Sequence, residues 1–448
     1  MSDALPLPPH PSIAQYRKRA KELAGICKAG SEDGLRRFTS GWIETLVKHY
    51  GLHVEPGRGQ RPYTDAEIAH LSDRTLSRIT KHLGGSNLTG VTLSRAQFAI
   101  AREHGFASWP RFAGHLAMAA LPESLVSRFE AAADAIVGGE LTELQRLLGE
   151  HPALVRARST REHRSTLLHY VAANGIEDFR QKTPGNIVQI ARFLVKHGAD
   201  VNAESNAYGG GSTALTLAAT SVHPEAAGVQ LALLELLIDY GATIDPENSG
   251  STVNACLHNG RGRAALFLAG KGARLDLEGA AGTGRTDVVR GFFPDGIGPT
   301  PPATREQMQA GFGWACEFGH TAVVDYLLQV AVPVDLSLGH GGQTGLHWAA
   351  YAGDARIVRR LLDHGAQVDA RDLHFHGNPL EWALYAWGNR TAGKEDSAGY
   401  YQVVSLLVSA GASLDPEWLT RNEDRKRAAR KLQSDSQMQS ALSGAIGL

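Results

Sequence analysis

The sequence predicts an all-α fold, a solenoid of about eight repeated units with short β-hairpin fingers and helical caps at both ends. Three observations carry this. Five segments share one pattern, "IARFLVKHGADVNA" (190–203), "LLELLIDYGATID" (233–245), "AALFLAGKGARLD" (264–276), "IVRRLLDHGAQVDA" (357–370) and "VVSLLVSAGASLD" (403–415). Each places apolar residues at helical spacing and then a Gly-Ala pair, where glycine suits the left-handed residue that ends a helix. Ten to twenty residues upstream of each lies a second short helical pattern, clearest in "STLLHYVAANG" (165–175) and "TGLHWAAYAGDARIVRRLL" (344–362). Finally, Trp314, Trp348 and Trp382 recur 34 residues apart. Two short helices and a turn in a period in the low thirties are the mark of a stacked repeat.

In chain order, residues 1–121 lie outside the repeat. "PSIAQYRKRAKELAGICKAG" (11–30) and "TLSRAQFAIAREHGFASWPRFAGHLA" (92–117) read as amphipathic helices, the second framed by a Thr92–Ser94 start and a Gly105–Phe106 stop. A helical module here would cover the apolar face that the first repeat otherwise exposes. Repeat units begin near residues 124, 164, 211, 250, 277, 306, 343 and 377, the first and fifth degenerate. Residues 416–448 read as a cap helix and tail. Their "RKRAARK" follows acidic residues, so a solvated helix face is favoured over a nucleic-acid patch.

The quoted units resemble the ankyrin repeat family, whose unit carries a "T-P-L-H-x-A-A" helix, a second helix and a "G-A-D-V-N" turn leading into a finger. The matching segments are "TLLHYVAANG", "TALTLAAT", "FGHTAVVDYLL" and "TGLHWAAYAGD", and the likeness runs over roughly residues 122–415. "LSRAQFAIAREHGFASWPRFAGHL" resembles a segment found ahead of such arrays in many bacterial proteins, which implies a bacterial source. The resemblance implies that His169 and His347 support neighbouring turns. It also implies that the three tryptophans pack between units, a reading favoured over a stacking platform for a ligand.

Composition narrows the function classes. Over 448 residues, 43% are hydrophobic and 20% charged, which is enough for a sizeable core. A net charge of −1 argues against bulk nucleic-acid or membrane-surface binding. Cys27, Cys256 and Cys316 lie far apart with no zinc spacing, which fits a reducing compartment. No signal peptide or spanning run is legible, so a cytoplasmic location is expected.

Motifs that suggest chemistry meet plainer readings. "GAAGTGRT" (279–286) matches a phosphate loop except for Arg285 in place of lysine, but a repeat turn precedes it where a buried strand is required. "DLHFHGN" (372–378) places His374 and His376 on one face of an extended finger, beside His340 on the adjacent one. Three nitrogens with no sure carboxylate leave ligand contact favoured over a metal, and no cofactor or metal is expected. Glu317 and Glu381 read as framework more readily than as a catalytic pair.

In the family's register, the two residues before the glycine that ends the first helix face a concave groove. They are Ala173–Asn174, Thr220–Ser221, His258–Asn259, Gly282–Thr283, Glu317–Phe318, Tyr351–Ala352 and Tyr385–Ala386. The later positions are aromatic and acidic, as recognition surfaces favour. The candidate ligand-binding set is therefore Glu317, Phe318, Tyr351, His374, His376, Tyr385 and His340. Insertions at 175–186, 221–228, 291–307 and 388–399 are placed to fold over the groove. The leading expectation is a binding protein that takes a protein or peptide along the groove. The alternative is an enzyme acting on a small polar molecule, in a pocket made by the last three repeats and the inserted loops.

Overall fold

A computed structural model describes residues 4–443 apart from 9–10, 51, 56–58, 86–87, 89, 248–249, 297, 331, 338–340, 390–393 and 416. The chain divides into two compact units, Met1–Gly250 and Ser251–Leu448. Both are helical.

The first unit opens with helices Ile13–Lys28 and Glu32–Tyr50, a two-stranded antiparallel hairpin (Leu52–Glu55 with Gly59–Pro62), then helices Asp65–Leu83, Leu93–Glu103 and Trp109–Ala119. Local chemistry sets their starts. Ser12 with Gln15 and Thr64 with Glu67 form capping boxes, and Thr92 accepts the Arg95 amide. Residues 92–117 hold two helices, because Gly105 at φ 79° ends the first and Ser108–Trp109–Pro110 begins the second. Two long helices and the hairpin lie between the segments that the periodicity singles out. Tyr16, Leu23, Trp42, Ile79, Ile100 and Phe112 form the core of this module. His104 lies within it, stacked on Phe112 at 5.2 Å and bonded through Nδ1 to the Leu5 carbonyl at 2.9 Å.

Three helix pairs complete the first unit: Leu125–Gly138 with Leu141–Glu150, Leu167–Ala172 (a 3₁₀ turn) with Ile187–Lys196, and Ala214–Thr220 with Gln230–Asp239. The insertion at 175–186 turns inward. Its Glu177, fully buried, pairs with the buried Arg161, while its Arg180 pairs with Glu130 at 2.7 Å and Asp134 at 2.8 Å. Burial pushes the Glu177 carboxyl up, but Arg161 and Arg180 outweigh it and hold the group well below the usual carboxylate range. Arg161 also donates to the His104 carbonyl at 2.8 Å, and Arg102 pairs with Glu162 at 2.6 Å. The 1–121 module and the first repeats therefore share a buried polar seam.

The second unit contains five pairs: Thr252–His258 with Gly262–Gly270, Leu277–Gly282 with Thr286–Gly291, Arg305–Glu317 with Thr321–Gln329, Gly345–Ala352 with Ala355–Asp363, and Pro379–Asn389 with Lys394–Ser409. A 3₁₀ turn (Trp418–Thr420) and helices Glu423–Ser434 and Ser436–Leu442 close it. Eight pairs in all begin where the repeat period places them. Each second helix read from the Gly-Ala pattern ends on a left-handed glycine, with φ 92° at Gly198, 91° at Gly241, 92° at Gly272, 81° at Gly365 and 95° at Gly411. The phosphate-loop look-alike (279–286) is the end of helix Leu277–Gly282 and the turn into helix Thr286–Gly291.

The fingers depart from the expected hairpins. Two carry single antiparallel bridges, Arg158 with Thr166 and Ser205 with Ser212, rather than ladders. The last finger is drawn into a tight turn by one side chain. Asp372 accepts the amides of His374 (2.9 Å), Phe375 (2.6 Å) and Gly377 (2.9 Å). Such bonds compete with strand pairing. His376 accordingly has φ 52°, and the extended face expected to align His374 and His376 does not form.

Candidate functional site

The inner helices of the last repeats are short, so their registers divide residues sharply between core and groove. On Gly345–Ala352, Leu346, Ala349 and Ala350 are buried, while Trp348 and Tyr351 are half-buried. On Pro379–Asn389, Leu380, Leu384 and Trp387 face the core, and Trp382 and Tyr385 are half-buried. Trp314, Trp348 and Trp382, expected to be mostly buried between units, are half-buried. Spaced 34 residues apart, they occupy one register on the groove side and touch in sequence. Trp314 and Trp348 have ring centres 5.8 Å apart, and Trp348 and Trp382 5.3 Å.

His347 is framework, as its register implies. It is fully buried; Nδ1 accepts the Thr344 amide at 3.1 Å, so Nε2 carries the proton and donates to the Gly377 carbonyl at 3.1 Å. His169 repeats this between Thr166 and the Ser212 carbonyl. Glu381, also fully buried, caps its own helix with Asn378, and burial raises its carboxyl.

Over these helices lies a cavity of about 380 Å³. Trp348 and Tyr351 form one wall, Trp382 and Tyr385 the next, and Glu317, at the end of helix Arg305–Glu317, stands at one side. Phe375 and Gly377 come from the last finger. Trp418, Asn422, Asp424 and Arg425 come from the C-terminal segment. The rings meet steeply, Trp348 with Trp382 at 76°, Trp348 with Tyr351 at 79° and Tyr351 with Trp382 at 71°. The Trp382 indole donates to Asp372 at 3.0 Å. Burial pushes the Asp372 carboxyl up, but the finger amides and the indole outweigh it, so it is held below its ordinary value.

Asn422 accepts the Arg425 amide at 2.9 Å and starts helix Glu423–Ser434, which brings Asp424 and Arg425 to the cavity. Arg425, only 7% exposed, lies 4.8 Å over the Trp418 ring and donates to the Phe375 carbonyl at 3.1 Å. Desolvation lowers its basicity. The indole nitrogens of Trp348 and Trp418 are buried with no hydrogen-bond partner among the described residues.

Of the residues read from the sequence, the structure brings together Glu317, Tyr351 and Tyr385. Phe318 lies outside the lining and stacks on Trp314 at 6.3 Å. His374 and His376 are exposed and do not line the cavity, because the Asp372 turn carries them off the groove. His340 lies outside the described residues. Among the described residues the cavity lining holds none of the inserted loops; the finger and the C-terminal segment complete it instead. Sequence reading missed Trp418, Asp424, Arg425 and Phe375. The available signal was Trp418, a large apolar residue at the head of a polar tail.

A family model described as Ankyrin repeats (3 copies) matches residues 280–372 and 312–417, and one described as Ankyrin repeat matches 163–206. These segments are ankyrin repeats. The walls of the cavity up to Tyr385 lie inside the matched region; Trp418 to Arg425 lie beyond it. No curated protein matches the chain. Among the described residues, no helix is long and apolar enough to cross a membrane.

Proposed function

We propose that the chain is a binding protein that takes a protein or peptide in the groove of its last repeats, with one side chain of that partner inserted in the aromatic cavity. Ankyrin repeats generally serve protein interaction, which supports a binding role. The observation that carries the finer reading is the cavity itself. Six aromatic side chains from two repeats, one finger and the C-terminal segment converge on it, and aromatic residues are what interface hot spots favour. In this reading residues 1–121 cap the array, 122–415 form it, and 416–448 both cap it and complete the site.

A volume of about 380 Å³ also falls in the range of small-molecule sites, which favours a small ligand as the second reading. The catalytic alternative would rest on Glu317 and the tyrosines, since His374 and His376 stand outside the cavity.

The test is selection of displayed random peptides on the full-length protein, repeated on the Tyr351→Ala/Tyr385→Ala variant and on Asn174→Ala/Thr220→Ala. Peptides lost on the first variant and kept on the second support the groove of the last repeats. Peptides that survive the first variant, or none at all, sink the reading.

A further inference from the structure

We infer that the cavity over the last two repeats is a receptor for an alkylated ammonium cation, carried on a side chain of the partner; this rests on the groove reading above. Three rings meeting at 71–79° make a corner of π faces rather than a flat stacking platform. A spherical cation fits such a corner, whereas a planar base or sugar face fits parallel walls. Ring faces carry the negative part of the aromatic quadrupole and attract cations.

The charges agree. Glu317 and Asp424 line the cavity beside one lining cation, Arg425, and Asp424 also pairs with Arg427 at 3.5 Å. The lining cation is committed within the chain, to the Trp418 face and the Phe375 carbonyl. Behind the wall, Asp372 accepts a hydrogen bond from the Trp382 indole N–H at 3.0 Å and is itself only 1% exposed. An ionised acceptor on the indole N–H enriches the ring and strengthens its hold on a cation.

Alkylation is favoured over a primary ammonium for a further reason. A primary ammonium brings three N–H donors that each need an acceptor, and burying them unpaired is costly. A quaternary head has none, and spreads its charge over methyl groups that pack on rings. Trp418, 98% buried by its 2% exposure, has an indole N–H without a partner among the described residues; a carbonyl of the partner's backbone would supply the acceptor.

The experiment uses the full-length protein and titration calorimetry, with tryptophan fluorescence as a second readout. The probes are the Nα-acetyl amide of trimethyl-lysine, its neutral tert-butyl isostere, the Nα-acetyl amide of lysine, and choline. Trimethyl-lysine amide should bind about tenfold tighter than the neutral isostere and than lysine amide. Glu317→Gln and Asp424→Asn should each weaken it about threefold or more at unchanged melting temperature. Trp382→Ala should abolish trimethyl-lysine binding; if it unfolds the chain, the two carboxamide variants still carry the test. Equal binding of the neutral isostere, equal binding of lysine amide, or no binding of any probe overturns the inference. Choline binding more tightly than trimethyl-lysine amide overturns the placement of the cation on a partner side chain. Cation binding without groove-dependent peptides sinks the peptide reading alone, and groove-dependent peptides indifferent to the cation sink this inference alone.

Discussion

His104, His115 and His169 illustrate at the residue scale how burial sets both role and pH response. Desolvation is the leading cause in each, pushing His104 down to about 3 and His115 and His169 down to about 4, from an ordinary 6.5. All three are neutral in the folded chain at pH 5, whereas the unfolded chain would bind protons there. The unfolded state thus holds more protons across this window, so stability is complete above pH 6.5 and declines as pH falls toward 4. The expected loss between pH 7 and 5 is up to about 2 kcal/mol per histidine. Urea unfolding at the two pH values measures it, and His169→Gln should flatten the slope; an unchanged midpoint would refute the argument. The framework role of His169 and His347 was legible because it follows from position within a repeat. The placement of His374 and His376 off the cavity was not, because it depends on Asp372 capturing three amides that alternation along the chain would assign to a strand.

A single helix, Pro379–Asn389, carries both structure and site at the element scale. Trp387 is 1% exposed and faces the core, while Trp382 is half-buried in the groove. Trp387→Ala should cost about 3–5 kcal/mol, as for other large core truncations. Trp382→Ala should cost markedly less, about 1–2 kcal/mol, and abolish ligand binding. Paired denaturation and binding curves check both; equal stability losses would mean the two faces are not distinguished. The same helix lets its neighbour approach closely. A Cβ at Gly388 would fall 2.5 Å from Ala428 Cα on helix Glu423–Ser434, and that backbone cannot yield like a flexible side chain. Gly388→Ala should therefore displace the helix that carries Asp424 and Arg425. About 1–3 kcal/mol of stability and most of the cavity's affinity should be lost, measured by melting and by calorimetry. Helix count, order and ends were legible from periodicity and glycine. Which helical face met a neighbour and which met the groove was not, since tryptophan suits either environment.

For the whole molecule, helical segments flank the repeats, and in the proposed reading they do more than cover apolar faces. Near the N-terminus, the seam of Arg161, Glu177, Arg180 and Glu130 is tied to the 1–121 module through the His104 carbonyl and Arg102. Deleting 1–121 removes the His104 carbonyl from Arg161 and Arg102 from Glu162, while the Glu177 and Glu130 pairs remain, and it uncovers the apolar face of the first repeat. The truncated chain should be less soluble and melt earlier than the full-length protein. A soluble 122–448 fragment of equal stability would show instead that the module is an independent domain. By itself, the sequence determined the repeat, the number of its units, the glycines that end the helices and the framework histidines His169 and His347. Each of these is a local property, set by the sign of φ or by bonds recurring within one period. Only the tertiary structure decided that two of the tryptophans line a cavity, that one insertion carries a buried ion pair, and that Trp418, Asp424 and Arg425 complete that cavity with Glu317. Burial at each of these places depends on which surface arrives opposite, which no period along the chain encodes.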